Sequence, residues 1–345
     1  MTLKELATRL GLSVSTVSRA LNGYADVAAE TRERVIGAAR TFRYTPNAAA
    51  QRLITGRAHA VGYVLPLPEG RFADPFFMEL MIGLGEGLRP AGLDLVVCAA
   101  EPGEDELATY RRLIASRRVD IMVVARTRVA DERIALLRSL GFPFVTHGRW
   151  RGPLDFDSFE CDNLAGGRLA GQLLVGLGHR RLMMLGAPGA YNYTVEREAG
   201  FREVAVAAGA RVDLRESTDA VEDEGHRVML EALSADTGIT AVFCANDRLA
   251  MGAMRAARDL GREVGLDLAV VGYDDLPFSG FAEPPLTTIR HPIRASGRRV
   301  AEMVIARLTA PEAPPIIELW RPDLVLRASH DAGAWPRSAP PGVKH

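Results

Sequence analysis

The chain has 345 residues, of which 48% are hydrophobic and 25% are charged, and its formal net charge is −1. This length and composition allow two or three domains with large cores, and they exclude a disordered or collagen-like protein. The longest apolar stretches, such as residues 121–125 and 268–271, are far shorter than the roughly 20 residues that a membrane-spanning helix needs. The N-terminus has no apolar signal segment, so we expect a cytoplasmic protein.

The charge is unevenly distributed along the chain. Residues 1–57 contain nine Lys or Arg against four Asp or Glu, which gives +5 and leaves −6 for the remainder. A basic head suits contact with DNA, because neutralised phosphates release counterions. Charge alone equally fits a solvated helical surface.

The N-terminal segment predicts two short helices joined by a glycine turn. Thr2 and Glu5 form a capping-box pair, and Gly11 ends the first helix. A second helix starts after Ser13, an N-cap type. Such a pair is a helix-turn-helix, and a third helix over residues 31–42 would close its core.

At this point the sequence resembles the lactose-repressor (LacI) family of bacterial transcription factors. The resemblance covers nearly the whole chain and rests on residues 12–22, 31–35, 44–47, 197–201, 245–247, 251–254, 271–275 and 284–289. It implies a fold of the α plus α/β class. The head would be a three-helix helix-turn-helix followed by a hinge helix, and the body would resemble a periplasmic binding protein with two doubly wound parallel-sheet lobes.

The resemblance also implies which residues of the second helix contact DNA. They are Val14, Ser15 and Arg19 in the major groove, and Thr16, Ser18 and Asn22 at or near phosphates. An arginine in the major groove can read guanine bidentately.

The hinge helix would span residues 47–54, and by itself it is too short to be stable in water. By resemblance, Leu53 of each subunit wedges between base pairs in the minor groove, and Asn47 and Arg52 join the DNA contacts. Ala28 departs from the family pattern, since a capping residue commonly starts the third helix there, and the lost cap would cost roughly 1 kcal/mol.

From residue 60 onward, apolar strand-like runs alternate with helical stretches, which is typical of a parallel α/β sheet. The predicted strands are residues 60–65, 93–99, 121–125, 144–147, 181–185, 241–244 and 268–272, and predicted helices include 76–89 and 248–259. Two doubly wound lobes fit this series better than one unusually long sheet.

The domain boundaries follow from the same resemblance. We expect a head at 1–46, a hinge and linker at 47–57, a body at 58–330 and a disordered tail at 331–345. The first lobe would comprise about 58–158 and 290–319, and the second about 159–289 and 320–330, with three crossing strands between them. The tail is rich in Pro and Gly and lacks a leucine-heptad tetramer motif, so a homodimer is expected.

Ligands of open α/β sheets bind beyond the carboxyl ends of the strands, where several polar residues fall. Sugars need planar partners for neighbouring hydroxyls and an aromatic face for the ring. The residues that the resemblance implies are Arg197, Asn246 and Asp274 for ligand hydroxyls, and Phe76, Phe77, Tyr191 or Tyr193 for stacking.

Two histidines occupy uncommon positions in this cleft. His147 follows the fourth strand, where many relatives place an acid, and His291 lies near the lobe crossover. Each fits either a hydrogen bond to a ligand hydroxyl or a hydrogen bond within its own loop. Asp247 and Asp275 also follow strands, and we interpret them as helix N-caps rather than ligand contacts.

Enzymatic alternatives lack their motifs. No Gly-x-Gly-x-x-Gly follows a strand, because the glycines of residues 83–87 lie inside a predicted helix. The histidines have no metal-ligand spacing and the serines no nucleophile elbow. The three cysteines, Cys98, Cys161 and Cys244, are interpreted as buried thiols. We therefore expect no catalysis, cofactor or metal.

The sequence thus predicts a ligand-responsive, DNA-binding transcriptional repressor that acts as a homodimer on near-palindromic operator DNA without a membrane partner. A sugar-binding transport protein would share the body but not the head. A corepressor-type regulator that responds to a nucleobase would use the same head and body, but its ligand would strengthen operator binding instead of weakening it. The sequence leaves this alternative open.

The expected effector is a neutral sugar, because Arg197 and His147 are offset by Asp274 and Asp74. Ala220 stands near the place of a bulky aromatic residue in the family. The vacated volume favours a disaccharide over a monosaccharide.

Overall fold

The computed structural model describes residues 1–21, 24, 26–42, 44, 56–66, 74–101 and 103–331. The chain forms two compact units, residues 1–59 and 60–345. The predicted hinge helix and the tail from residue 332 lie outside the described residues. No helix in the described part is both long and apolar enough to cross a membrane.

The head contains helices α1 (Leu3–Leu10), α2 (Val14–Leu21) and α3 (Ala29–Thr41). The capping box is confirmed: Thr2 Oγ1 accepts from the Glu5 N–H at 3.2 Å, and Glu5 Oε2 accepts from the Thr2 nitrogen at 2.8 Å. Leu6, Val17 and Val35, one from each helix, are fully buried and centre the core.

The third helix differs from its prediction at both ends. It starts at Ala29 rather than at residue 31, and Ala28 precedes it without a side-chain cap. Phe42, the last residue of the predicted helix, is 38% exposed, and the Arg9 guanidinium lies 4.6 Å from its ring centroid. A cation–π contact on the surface thus replaces core packing for this side chain.

The body is built on two six-stranded sheets, one in each lobe. The first sheet has the order β11-β5-β4-β3-β1-β2 and the second β12-β10-β9-β8-β6-β7. All described pairs are parallel except β10 with β12. The strands are β1 (Ala60–Pro66), β2 (Asp94–Ala100), β3 (Ile121–Ala125), β4 (Phe144–His147), β5 (Asp157–Cys161), β6 (Arg181–Gly186), β7 (Arg211–Glu216), β8 (Ala241–Cys244), β9 (Ala269–Asp274), β10 (Thr287–Arg290), β11 (Ile317–Trp320) and β12 (Asp323–Val325).

Helices cover both faces of these sheets, as in doubly wound folds. They are α4 (Pro75–Leu88), α5 (Glu104–Ala115), α6 (Glu132–Ser139), α7 (Asn163–Gly176), α8 (Asn192–Ala207), α9 (Glu222–Ala235), α10 (Asp247–Asp259) and α11 (Ile293–Thr309), with short 3₁₀ turns at Arg89–Ala91 and Ser279–Phe281. The chain passes between the lobes after β5, after β10 and between β11 and β12. These three crossings lie beside one another and bring the strand ends of both sheets to one cleft.

The seven strands predicted from apolar runs match observed strands within two residues, but five of the strands in the described part of the chain are not among them. Of these, β5 is fully buried although its sequence, Asp-Ser-Phe-Glu-Cys, is mostly polar. The Asp157 carboxylate accepts two hydrogen bonds from Arg307, at 2.7 and 2.9 Å. Partners supplied by distant segments therefore make burial of this strand possible, and a local hydrophobicity pattern does not reveal them.

Glycines set the closest helix contacts of the body. The helices α4 and α11 approach so closely that a Cβ on Gly83 would lie 2.2 Å from the Arg294 carbonyl oxygen. A Cβ on Gly167 or Gly200 would likewise clash where α7 packs against α8. A Cβ on Gly225 or Gly252 would clash where α9 packs against α10. Gly83 and Gly87 of α4 therefore serve helix packing.

Candidate functional site

An inner cleft of about 50 Å³ lies between the lobes, at the carboxyl ends of the strands. Seven of the predicted effector-binding residues line it: Phe76, His147, Tyr193, Arg197, Asn246, Asp274 and His291. The sequence analysis missed further lining residues, which are Arg126, Thr127, Gly148, Arg149, Glu160, Cys161 and Asn163. The tertiary fold thus assembles this cleft from segments spread over more than 200 residues.

Arg197 lies at the centre of the cleft and is held in place by α7 and by the strand ends. Its Nε donates to Asn163 Oδ1 at 2.8 Å, and its Nη1 donates to the Ala245 carbonyl oxygen. Its Cζ lies 3.3 Å from the centroid of the Tyr273 ring and 4.8 Å from that of Tyr193. These contacts fix the plane of the guanidinium before any ligand arrives.

Asp274 ends β9 with a backbone φ of 108°, a conformation that side-chain-bearing residues rarely adopt. Its Oδ1 lies 3.5 Å from Arg197 Nη2 and accepts no closer hydrogen bond within the described part of the chain. Burial raises the pKa of Asp274 to about 7, and the Arg197 guanidinium opposes this shift. An acceptor with spare capacity therefore faces the cleft.

The two histidines stack on each other, with ring centroids 5.3 Å apart and planes 7° from parallel. His147 Nε2 hydrogen-bonds Ser296 Oγ at 2.8 Å, so this side chain is engaged within the protein. In contrast, neither ring nitrogen of His291 has a partner among the residues described. Burial lowers the pKa of His147 to about 4 and lowers the pKa of His291 well below its usual value, so both rings are neutral at pH 7.

Asn246 reaches the cleft but already serves the local structure. Its Oδ1 accepts from the Leu249 N–H at 2.8 Å, which makes it the N-cap of α10, and its Nδ2 donates to the Ala220 carbonyl oxygen at 3.0 Å. The N-cap role expected for Asp247 was therefore wrong by one residue. Asp247 is instead buried beneath the strand ends.

Asp275 is not an N-cap either. Its carboxylate pairs with Arg290 at 2.7 Å and with Arg327 at 2.6 Å. No regular α-helix begins at this position in the described residues, since the following segment forms only the 3₁₀ turn. The local sequence pattern predicted an N-cap role for this carboxylate. In the folded chain it instead pairs with two guanidinium groups from other segments.

Glu160 is a buried acid of the cleft that the sequence analysis did not single out. It belongs to β5, and its Oε1 accepts a hydrogen bond from Asn163 Nδ2. Burial raises the pKa of Glu160 to about 8, and the nearby Glu196 carboxylate adds to this shift. The polar character of β5 was the available signal, but only the folded structure reveals that this side chain faces the cleft.

A second, larger depression adjoins the inner cleft, and we call it the outer pocket. Phe77 and Tyr191, both predicted to stack on the ligand, line the outer pocket and not the inner cleft. Arg126 lines both cavities, and it pairs with Asp74 across their boundary. Ala220 also lines the outer pocket, where its small side chain leaves space.

The predicted DNA-contacting face of the head is largely solvent-exposed. Val14, Ser15 and Arg19 are exposed on α2, whereas Thr16 and Ser18 are half-buried. Ser13 Oγ accepts from the Thr16 N–H at 3.0 Å and so caps α2, as expected. Arg19 pairs with Asp26, and its guanidinium lies over the Tyr24 ring, 4.9 Å from the centroid. If Arg19 reads a base as predicted, it must first leave these intramolecular partners.

The remaining predicted DNA contacts lie outside the described residues. They are Asn22, Asn47, Arg52 and Leu53. Their assignment stays a prediction from sequence.

Comparison with known protein families supports both parts of the chain. Residues 2–47 match the family of bacterial regulatory proteins, lacI family. Residues 172–330 match the periplasmic binding protein-like domain.

Similarity to individual proteins extends over almost the full length. The HTH-type transcriptional regulator AglR of Rhizobium meliloti (strain 1021) is 40% identical over 334 residues, which covers 95% of this chain and 93% of AglR. A structure of the transcriptional regulator CelR in complex with cellobiose has a TM-score of 0.74 and 32% identity, and the match covers 95% of this chain and 99% of CelR.

The lac repressor dimer bound to operator and the anti-inducer ONPF has a TM-score of 0.83 and 27% identity to this chain, with 96% and 99% of the two chains covered. The fold, the helix-turn-helix and the near full-length similarity agree. The chain therefore belongs to the LacI family of bacterial regulatory proteins and is a DNA-binding transcriptional regulator.

Proposed function

We propose that this regulator is a repressor of carbohydrate-utilisation genes and that a neutral sugar, bound in the inner cleft, releases it from its operator. The observation that carries this proposal is the charge balance of the cleft. Each of its three arginines already faces a carboxylate: Arg126 pairs with Asp74, Arg149 with Glu196 at 3.5 Å, and Arg197 with Asp274 at 3.5 Å. An anionic ligand would find no uncompensated cation here.

The polar atoms without partners favour a ligand rich in hydroxyl groups. Asp274 can only accept hydrogen bonds when ionised, whereas a neutral His291 ring offers one donor and one acceptor. A hydroxyl group can both donate and accept, so neighbouring hydroxyls can satisfy both residues. The Phe76 and Tyr193 rings supply apolar faces for the C–H side of a sugar ring.

The outer pocket supports a ligand with more than one ring. It adjoins the inner cleft at Arg126, which lines both cavities, and Ala220 and Tyr191 also line it. We therefore favour a disaccharide, with one ring in the inner cleft and the second directed toward Ala220. The cellobiose complex of the similar CelR protein is consistent with a ligand of this size.

We also propose that the working form is a homodimer. Large apolar side chains are exposed on α4 and β2, namely Met78, Ile82 and Val97, and Phe281 in the second lobe is 91% exposed. Patches of this kind favour burial against another protein surface. The similar lac repressor structure is a dimer on operator DNA, which makes a second copy the preferred partner.

The cleft supports binding rather than catalysis in our proposal. Burial raises the pKa of the Cys161 thiol to about 12, so it offers no thiolate nucleophile. In the described part of the chain, no three His, Cys, Asp or Glu side chains are arranged to hold a metal ion. We expect the protein to act in the cytoplasm, where operator DNA is found.

Titration calorimetry of the full chain tests the ligand class. The panel comprises maltose, cellobiose, sucrose, trehalose, glucose, ribose, hypoxanthine and glucose 6-phosphate. We expect heat from at least one neutral sugar, with disaccharides ahead of glucose, and weaker operator binding when that sugar is present. Binding of only hypoxanthine, with tighter operator binding, would instead establish the corepressor-type alternative.

Replacement of Asp274 tests the site. Asp274→Asn keeps the shape of the side chain but removes the charged acceptor, so sugar affinity should fall at least tenfold, a loss of about 1.4 kcal/mol or more. Operator binding, measured by fluorescence anisotropy, should stay unchanged because the head is untouched. If the variant responds at the same sugar concentration as wild type, the sugar binds elsewhere in the protein.

A further inference from the structure

Glu160 lines the inner cleft and carries one carboxyl oxygen without a partner among the described residues. The residue is 6% exposed, and Oε2 has no hydrogen-bond partner in the part of the chain that the structure describes. A buried polar atom that remains unsatisfied destabilises the folded protein, so a ligand that supplies a partner gains affinity. We propose that Glu160 is a specificity-determining residue of the inner cleft and that its Oε2 hydrogen-bonds an oxygen atom of the bound sugar. This inference rests on the proposed function.

The neighbours of Glu160 fix its side chain and leave only this oxygen free. Asn163 donates to Oε1 through Nδ2, while Asn163 Oδ1 accepts from Arg197 Nε at 2.8 Å. The Asn163 amide is therefore held at both ends, and it cannot rotate to serve Oε2. Glu160, Asn163 and Arg197 form one hydrogen-bonded chain along the wall of the cleft.

The charges around Glu160 favour its protonated form. Burial raises its pKa to about 8, and Glu196 adds to the shift, whereas the Asn163 hydrogen bond, Arg149 and Arg197 oppose it. At neutral pH the side chain is then a carboxylic acid, whose O–H donates a hydrogen bond. The ligand must present an acceptor oxygen at this position, which can be a hydroxyl, a ring oxygen or a glycosidic oxygen.

Glu160 and Asp274 therefore make complementary demands on the ligand. Glu160 donates, and the ionised form of Asp274 accepts through Oδ1, which has no closer partner than Arg197 among the described residues. A carboxylate or phosphate group can accept from Glu160 but has no proton for Asp274 at neutral pH. Adjacent hydroxyl groups satisfy both residues, so this pair selects neutral sugars over acidic ones.

The experiment measures the affinity of the full chain for the same panel of neutral sugars between pH 7 and pH 9. For the sugar that binds most tightly, wild-type affinity should fall about tenfold over this range as Glu160 ionises. Glu160→Gln retains a donor and an acceptor, so its affinity should stay within about threefold of wild type at pH 7 and remain flat up to pH 9. Glu160→Leu should lose at least tenfold at pH 7.

Other ionisable groups of the cleft are separated from this effect by their pKa values and by a control. Burial lowers the pKa of His147 to about 4 and that of His291 well below its usual value, and it raises the pKa of Cys161 to about 12, so these groups keep their charge between pH 7 and pH 9. Burial raises the pKa of Asp274 to about 7, so Asp274 becomes more ionised over this range, and the added acceptor acts against the expected fall in affinity. Glu196, whose pKa is also raised by burial, is controlled by Glu196→Gln, which should keep the pH slope.

The outcomes separate the two proposals. If no neutral sugar of the panel binds to the wild type, the proposed function fails, and the role of Glu160 fails with it. If a sugar binds and Glu160→Leu, shown by its melting curve to be folded, binds equally well, only the role of Glu160 fails. Equal losses in the Gln and Leu variants would overturn donation by a neutral acid.

Discussion

Buried carboxyl groups differ sharply in their partners, and the partners decide what each group does. Asp247 is fully buried and accepts three hydrogen bonds, from the Leu276 N–H at 2.8 Å and from the hydroxyls of Ser279 and Thr288 at 2.6 Å each. These bonds tie α10 to the loop after β9 and to β10. Asp162, by comparison, only caps α7 through the Ala165 N–H at 2.9 Å.

Truncation of these two aspartates should therefore have unequal effects. Asp247→Ala leaves one N–H and two hydroxyls without their acceptor, so we expect it to lower the free energy of unfolding of the body by about 2–4 kcal/mol. Asp162→Ala removes a cap and should cost about 1 kcal/mol. Urea unfolding followed by circular dichroism measures both. Equal effects would show that Asp247 does not hold these segments together.

The raised pKa of Glu160 also predicts a pH dependence of stability. Below about pH 4.5 the side chain is protonated in both the folded and the unfolded state. Between about pH 4.5 and 8 only the unfolded state ionises, so stability falls with rising pH, by up to about 1.4 kcal/mol per pH unit from this group. Glu160→Gln should remove this component and melt at a higher temperature than wild type at pH 8. A wild type and a variant with parallel melting profiles from pH 5 to 8 would contradict the assignment.

At the scale of helices, glycine spacing decides which elements can pack closely. In α4, Gly83 faces α11 with the Arg294 carbonyl oxygen 2.2 Å from the position of a Cβ, whereas a Cβ on Gly85 would meet no atom within 4 Å. Both glycines lie inside the same helix, so both carry the same conformational disadvantage. Only one of them is required by packing.

Alanine at these two positions should therefore have opposite effects. Gly85→Ala gains helix propensity and should stabilise the body by about 0.5–1 kcal/mol. Gly83→Ala must push α11 away from α4 and should destabilise the body by about 1–3 kcal/mol. Thermal unfolding of the two variants checks this. Stabilisation by both would mean that the two helices can separate without cost.

At the scale of the whole body, the two lobes are joined by direct hydrogen bonds beside the cleft. The Asn192 side chain, on α8 of the second lobe, donates to the Arg128 carbonyl oxygen at 2.9 Å and to the Arg149 carbonyl oxygen at 2.8 Å in the first lobe. Backbone pairing accompanies it, with the Val129 N–H donating to the Ala190 carbonyl oxygen at 2.9 Å. These bonds stabilise the closed arrangement of the lobes.

We expect Asn192→Ala to weaken sugar binding although Asn192 does not line the inner cleft. The loss of two interlobe hydrogen bonds disfavours closure, and at about 0.5–1.5 kcal/mol each this lowers affinity by roughly tenfold. Thr194→Val is the matched control, because Thr194 Oγ1 is buried on the same helix without a hydrogen-bond partner among the described residues. Calorimetry on both variants decides. If Asn192→Ala binds the sugar as tightly as Thr194→Val and wild type do, closure does not depend on Asn192.

A second whole-molecule prediction concerns the link between head and body. If Leu53 wedges the minor groove, Leu53→Ala should reduce operator affinity severely and leave body melting and sugar affinity unchanged. Fluorescence anisotropy with operator DNA, alongside calorimetry with the sugar, tests both halves of this statement. Operator binding as tight as wild type would remove the hinge interpretation. Leu53 lies outside the described residues, so this prediction rests on the sequence resemblance.

Local patterns were sufficient for much of this fold. The capping box at Thr2, the Gly11 stop and the apolar runs of β3, β4 and β8 are encoded within a few neighbouring residues, and their observed bounds follow the prediction. The family motifs likewise indicated Arg197 and Asp274. Asp274 ends β9 and Arg197 lies on the helix that follows β6, so both belong to the edge where the strand ends meet. Periodicity and short motifs thus determined the class of fold and the general location of the cleft.

Tertiary structure decided the features that depend on distant partners. Burial of β5 requires Arg307, which lies 150 residues from Asp157 along the chain. The different roles of His147 and His291 depend on Ser296, which reaches only one of the two rings. Glu160 became a candidate contact because the fold closes around one of its oxygens and leaves the other unpaired. The sequence by itself determined the elements and the family, since these rest on local patterns and motif spacing. The partner and the charge of each cleft side chain were decided by long-range packing, which sets desolvation and hydrogen bonding.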